Sequence, residues 1–235
     1  MSLQRFLFRT AMPASADAVL AWHCRPGAFE RLTPPWENVK VVERTGSIEN
    51  GGRVILQVRA GGAWRRWVAQ HDDYEPGRQF CDVQTEGPFR SWRHCHRVIP
   101  TGDHCILEDD IEYLLPMGPL GDFLGGAMVR RKLERMFRYR HEITFHDFEL
   151  HRKYAEDSKM RIAVTGSSGL VGSALVPFLT TGGHEVVRMV RERRSGNDVS
   201  WTPEAGQMDK EHLEGVDAVV HLAGENLAAR RWNAA

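Results

Sequence analysis

The sequence predicts an α+β domain closed by one long helix, followed by the first part of an α/β domain with a parallel sheet. Three observations carry this. The first half of the chain is filled by short apolar runs separated by glycine and proline turns, and a single long helical pattern follows them. Beyond a polar stretch, an apolar strand then breaks into glycines and serines and resumes as a helix.

The first domain opens with the strand "QRFLFR" and two short helical segments around "SADAVLAWHC" and "PGAFERL". Ser15 is placed to cap the first segment, and Pro26 to open the second. Six strands are expected next: "VKVVER", "RVILQVR", "WRRWVAQH", "QFCDVQT", "SWRHCHRVI" and "HCILEDDIEYLL". In the second of these, Val54, Leu56 and Val58 share a face, as period-two burial requires. The turns "ENGG", "AGG", "EPG", "EGP" and "TGD" separate the runs into hairpins of an antiparallel meander. After "PMGPLG" a helix is expected from about Leu120 to Leu150, with Leu120, Phe123, Leu124, Ala127, Leu133, Met136 and Phe137 on one side and arginines on the other. The segment "LHRKYAEDSK" marks the boundary, so domains are expected at 1–150 and 160–235 with a linker at 151–159.

At 235 residues the chain exceeds one average domain. Lysine plus arginine and aspartate plus glutamate both total 31, so no net charge draws the chain to nucleic acid or to an anionic membrane. The basic run "RRKLERMFRYR" is interrupted at helical intervals by Leu133, Met136 and Phe137, which reads as a solvated helix face rather than a nucleic-acid site. Arg5 and Arg9 interrupt the apolar residues of the N-terminus, unlike a secretory signal, and nowhere do about eighteen apolar residues run together. A cytoplasmic protein without membrane partners is expected. Cys24, Cys81, Cys95 and Cys105 show no C-x-x-C spacing, so buried thiols in a reducing compartment are expected.

One strand, two small helices, six antiparallel strands and a long terminal helix is an order that resembles the START-like or SRPBCC helix-grip family. The pieces "AWHCRPGAFERLTPPW", "RWVAQHDDYEPGRQF", "GPFRSWRHCHRV" and "LPMGPLGDFLGGAMVRRKLERMFRYRH" resemble the version found ahead of an atypical short-chain dehydrogenase. The resemblance implies a sheet wrapped on the long helix and a cavity for a small lipophilic ligand. Trp22, Trp36, Trp64, Trp67, Trp92, His94 and His96 are the candidate cavity residues, although the tryptophans would equally fill a core. Trp92, His94 and His96 share one strand face. Two histidines so placed suit a metal, with Asp109 and Asp110 on the next strand, but the sequence fixes no third ligand and no metal is expected.

In the second domain, residues 161–164 form a strand and Thr165 to Gly172 spell T-G-S-S-G-L-V-G before the next helix. Gly166 permits the tight turn, Gly169 lets a pyrophosphate approach the backbone, and Gly172 allows the helix to pack closely on the strand. With Ser167, Ser168, Leu170 and Val171 they are the candidate phosphate loop, whose amides meet the anion at the favourable end of the helix dipole. Pro177 is expected to bend that helix, which stops at "TGGH" before the strand "EVVRMV". At the end of this strand a free ribose hydroxyl calls for an acidic residue, whereas a 2′-phosphate calls for arginine. Arg191, with Arg193 and Arg194 in reserve, favours NADP over NAD, and Glu192 is the weaker alternative.

The strand "GVDAVVHLAGEN" places Leu222, Ala223 and Gly224 beside the expected cofactor. Together with "MRIAVTGSSGLVGSALVPFLTTGGHEVVRMVR" and "WTPEAGQMD", it resembles the start of the atypical short-chain dehydrogenases of the nucleoside-diphosphate-sugar epimerase-like family, some of which carry the name cell-division inhibitor. The resemblance implies a Rossmann fold and NADP-dependent oxidoreductase or epimerase chemistry driven by a tyrosine and a lysine four residues later. Tyr74, Tyr113, Tyr139 and Tyr154 are followed instead by Arg78, Met117, Ile143 and Ser158. The chain therefore reads as truncated and catalytically incomplete alone, with catalytic residues, substrate and oligomeric state unassigned. Two other readings stay open: a non-enzymatic cofactor-sensing or ligand-binding protein, and a cyclase using His94, His96 and Asp109.

Overall fold

A computed structural model describes residues 3–154, 158–193 and 196–224. Contacts divide the chain into two units, Met1–Tyr154 and Ala155–Ala235, each with its own sheet.

The first unit runs β1 (Gln4–Met12), α1 (Ala16–Cys24), α2 (Ala28–Leu32), β2 (Val39–Thr45), β3 (Arg53–Ala60), β4 (Ala63–Glu75), β5 (Gln79–Glu86), β6 (Ser91–Thr101), β7 (His104–Leu114) and α3 (Pro119–Lys153). Its antiparallel strands lie in the order β1-β7-β6-β5-β4-β3-β2, so hairpins build the meander and β1 closes on its last strand. This is the helix-grip architecture. The β3–β4 hairpin shows why the turns punctuate so sharply: Gly61 and Gly62 have φ of +59° and +80°, the pair a two-residue turn demands.

Alternation divides the sheet into two chemically different faces. Inward, Phe6, Trp92, Ile111 and Tyr113 pack with Leu133 and Phe137 of α3, and Phe6 and Phe137 lie 5.6 Å apart. Outward, Arg5 holds Asp110 through two bonds of 2.8 Å, Arg9 reaches Glu108 at 2.6 Å, and Arg97 bridges Glu108 and Asp110 at 3.0 and 2.8 Å.

The helices depart from the expected pattern in three places. Ser15 caps α1 by accepting from the Ala18 amide at 3.3 Å, but Pro26 does not open α2, whose N-cap is Gly27 with φ of +92°. In α3, Phe123 is 86% exposed and Ala127 is exposed, so neither belongs to the buried side. That side is Leu133, Phe137, His141, Thr144 and Asp147, a row spaced by three and four residues that turns polar along its length. The side chains of Leu120 and Leu124 lie outside the described residues.

Two cysteines also depart from expectation. The register sets Cys81 of β5 opposite Cys95 of β6, and the two form a disulfide. Strand pairing brings the sulfurs together, a proximity that sequence spacing does not show. Cys24 is exposed and Cys105 buried, both as free thiols.

The second unit contains β8 (Arg161–Thr165), α4 (Gly172–Thr181), β9 (Glu185–Val190), β10 (Asp198–Thr202), β11 (Gln207–Met208) and β12 (Ala218–His221). The sheet order is β11-β10-β9-β8-β12, with β10, β9, β8 and β12 mutually parallel. This is the first part of a Rossmann sheet. Ile162, Ala163 and Val164 of β8 are buried, as a central parallel strand requires. Within the described residues β12 pairs only with β8, and Val219 is 65% exposed. No helix among the described residues is long and apolar enough to cross a membrane.

Candidate functional site

The glycine loop lies between β8 and α4, where each outer glycine answers a steric demand. Gly166 has φ of +65°, and a Cβ there would stand 2.6 Å from the carbonyl of Leu222 and 2.7 Å from the Ala223 nitrogen. A Cβ on Gly172 would stand 2.3 Å from the carbonyl oxygen of Gly166 and 2.7 Å from the Cα of Ser167. Gly166 therefore lets the loop pass under the end of β12, and Gly172 lets α4 start against the loop. At Gly169 the space is tight rather than closed, with 3.2 Å to the same carbonyl oxygen.

Between them the loop offers donors. Gly169 N–H returns to the Gly166 carbonyl at 2.9 Å, while Leu170 is 93% and Val171 60% exposed. Among the described residues, the amides of Leu170 and Val171 donate to no backbone acceptor. They precede a ten-residue helix, so they face solvent at the positive end of its dipole. Ser167 is buried and Ser168 exposed.

Parallel pairing sets the ends of β8, β9 and β12 along one edge of the sheet. Thr165 ties two of them together: its Oγ1 accepts from the amides of Leu222 and Ala223 at 3.0 and 3.1 Å, and its hydroxyl donates to Nδ1 of His221 at 2.8 Å. Leu222 and Ala223 thus lie beside the loop, with Gly224 exposed after them. Arg191 follows β9 at this edge and is exposed. Arg193 is turned toward the Gly196 carbonyl at 3.4 Å and Asp209 at 3.7 Å, and Arg194 lies outside the described residues. The bare Cα positions, the outward amides and the cation at the strand end fit a dinucleotide with its pyrophosphate on the loop.

The helix-grip unit holds a second constellation. His94 and His96 point inward from β6 and Asp109 from β7, while Asp110 points outward to Arg5. Asp109 is 2% exposed and accepts from Nε2 of His94 at 2.7 Å and Nε2 of His141 at 2.5 Å. Nδ1 of His96 lies 2.6 Å from the same carboxylate, but out of line for a hydrogen bond. Nδ1 of His94 faces Asp82 of β5 at 3.4 Å. Behind them His23 donates to the Val19 carbonyl at 2.8 Å, its ring 5.8 Å from that of His96.

Electrostatics sets the two β6 histidines apart. Burial works against a charge on His94, but the bond to Asp109 and the nearby Asp82 carboxylate outweigh it and push the imidazole up to about 9. Burial and the neighbouring His94 push His96 down to about 3. Burial would raise Asp109, yet the histidines around it hold its carboxyl well below the usual range.

The tryptophans divide. Trp22 and Trp92 are buried, and Trp67 meets Trp92 edge to face at 5.3 Å, so these three line the interior. Trp36 and Trp64 do not, being 39% and 42% exposed. Arg135 covers the first at 4.2 Å and Lys40 the second at 4.8 Å, because both rings sit where the sheet and α3 leave them at the surface. His141 also lines a recess of about 170 Å³ with Phe8, Thr10, Arg138 and Phe145. Asp82, His23 and His141 were not read from the sequence. The signal for the last two was present, since His23 follows Val19 and His141 follows Phe137 by four residues on buried helix sides.

Residues 12–138 match the family described as polyketide cyclase/dehydrase and lipid transport, and residues 162–235 match the NAD-dependent epimerase/dehydratase family, which implies a nicotinamide cofactor. An epimerase family protein of Mycobacterium bovis is 47% identical over 75 residues, 32% of this chain and 25% of that protein. The crystal structure of a nucleoside-diphosphate sugar epimerase from Corynebacterium glutamicum is similar over 94% of this chain and 46% of its own, with 30% identity and a TM-score of 0.74. The Zhui aromatase/cyclase from Streptomyces sp. R1128 shares the helix-grip fold, with a TM-score of 0.52 and 18% identity over 67% of this chain and all of that one. The chain thus spans about a quarter of the curated relatives' length and under half of the corynebacterial structure.

Proposed function

Since the chain belongs, through residues 12–138, to the polyketide cyclase/dehydrase and lipid transport family, we propose that a ligand-binding helix-grip domain (1–150) is joined by a linker (151–159) to the first part of an NADP-dependent, epimerase-like oxidoreductase domain (160–235). The observation that carries the reading is the fit of loop to strand end, where Gly166 passes under Leu222 and Ala223 at a distance no side chain tolerates.

In this reading the amides of Leu170 and Val171 receive the pyrophosphate, with Ser167, Ser168 and Gly169 forming the rest of its cradle. Leu222, Ala223 and Gly224 form the floor beside the cofactor. Arg191 meets the ribose 2′-phosphate, with Arg193 as the second cation. When bound, the nicotinamide supplies hydride transfer. In the first domain, Trp22, Trp67 and Trp92 supply apolar walls for a small lipophilic ligand, and His94 and His96 supply polar contacts.

Calorimetric titration of the chain with NADPH and NADH, repeated on Arg191→Ala, tests the cofactor assignment. NADPH binding more tightly than NADH, with the preference reduced at least about tenfold in the variant, supports it, because a lost charge-assisted bond costs on that order. Equal binding of the two cofactors removes NADP from the reading, and binding of neither removes the loop.

A further inference from the structure

A set of polar side chains converges in the helix-grip interior beyond the bonds that Asp109 makes. A carboxylate oxygen of Asp82 and one ring nitrogen each of His94 and His96 all lie within 4.8 Å of one another. They come from two adjacent strands, paired so that Asp82 stands opposite His94, and both histidines are at least nine-tenths buried.

Three features distinguish this cluster from a set of ordinary ion pairs. Nδ1 of His94 stands 3.4 Å from Asp82 Oδ1. A charge-assisted hydrogen bond would be about 2.7–2.9 Å, whereas two donors about 2.0–2.1 Å from a tetrahedral zinc ion stand roughly 3.4 Å apart. The far nitrogen of the same ring, Nε2, donates to Asp109 at 2.7 Å. A metal-bound histidine is commonly oriented in this way, by an outer carboxylate on its second nitrogen. Finally, Nδ1 of His96 lies 2.6 Å from Asp109 Oδ1 but out of line for a hydrogen bond, so no directed bond from this nitrogen orients the buried ring, and a bound ion would fix its orientation.

We infer that Asp82, His94 and His96 form a binding site for one divalent transition-metal ion of the zinc type, with Asp109 as the outer carboxylate that orients His94. Two imidazoles and one carboxylate make a borderline donor set, which selects zinc and its neighbours over magnesium or calcium. The buried Asp109 and the half-buried Asp82 carboxylates beside these rings also favour a cation. Three protein donors leave a coordination position open to an oxygen of whatever occupies the interior. The site is independent of the nucleotide loop and of the cofactor it takes.

Metal-free chain dialysed against Zn²⁺ with excess Mg²⁺ and analysed by atomic spectrometry tests the site. One zinc per chain is expected, with affinity reduced about tenfold or more in His96→Gln and Asp82→Asn, and 10- to 100-fold in Asp109→Asn. Co²⁺ in place of zinc is expected to give a visible d–d absorption that His96→Gln abolishes, with unchanged circular dichroism. The near-isosteric Asp82→Asn keeps the test open if His96→Gln does not fold. Absence of zinc from the wild-type chain overturns the site. So does equal zinc content in all the variants, which would assign the ion to exposed histidines such as His104, His146 and His212.

Discussion

Asp109 of β7 accepts a hydrogen bond of 2.5 Å from Nε2 of His141, thirty-two residues later in α3. The long helix is therefore fastened to the sheet by a buried polar bond as well as by the aromatic contact of Phe6 with Phe137. Asp109→Ala is expected to destabilise the first unit by about 3–5 kcal/mol in metal-free buffer, because it leaves the histidines around it without their acceptor. Asp109→Asn should cost less. Urea unfolding followed by tryptophan fluorescence measures both, and equal stability of Asp109→Ala and wild type would show the bond to be dispensable.

Gly172→Ala is expected to destabilise the second unit by about 1–3 kcal/mol, the usual cost of overpacking. The added methyl meets backbone, the Gly166 carbonyl, which cannot turn away as a side chain would. Gly166→Ala should be at least as harmful, since it adds a left-handed φ to a contact with Leu222. Thermal unfolding of the two variants beside the more tolerant Gly169→Ala checks the order.

Acid should loosen the outer face of the sheet in a defined window. The bond from Arg5 leads the effects that bring Asp110 down to about 2, with Arg97 adding to it against the opposing effect of burial. A carboxyl depressed in the folded state stabilises the fold fully above its unfolded value, near 4, and loses that contribution as pH falls toward about 2. Stability is expected to decline from about pH 4 to pH 2, and Asp110→Asn to flatten part of that decline in denaturant melts taken at each pH. An unchanged slope would assign the acid sensitivity to other groups.

Thiol counting should distinguish the two kinds of cysteine. The unfolded, unreduced chain is expected to show two reactive thiols, Cys24 and Cys105, and four after reduction. In the native chain Cys105 should react slowly, since burial pushes its thiol up to about 11. Loss of the Cys81–Cys95 bond is expected to cost up to about 3 kcal/mol, the loop-closure value for a separation of this length. Four reactive thiols before reduction would show that the disulfide does not form.

The helix-grip order was legible because the short apolar runs of β2 to β7 are each followed by a segment with its own glycine. The glycine loop was legible because its flanks agree with its spacing. What the sequence concealed depends on pairing. Asp82 joins His94 only through the β5–β6 register, and the same register unites Cys81 with Cys95. His141 and Asp147 look like polar interruptions in a helix until the buried row is followed to its end. Trp36 and Trp64 are not cavity walls: their size invites burial, but their place in the unit leaves them at the surface. The short β10 has no long apolar run to announce it in the sequence.

The tie between Thr165 and His221 spans fifty-six positions, which has a consequence in time. The glycine loop looks like the most local feature of the chain, yet its native shape rests on a strand end that is synthesised much later. Local helix formation can start α4 early, but the turn at Gly166 acquires its partner only when β12 docks. The loop should therefore mature as a late event in folding, and a nascent chain that has emerged only as far as β9 would carry the motif without its receptive form.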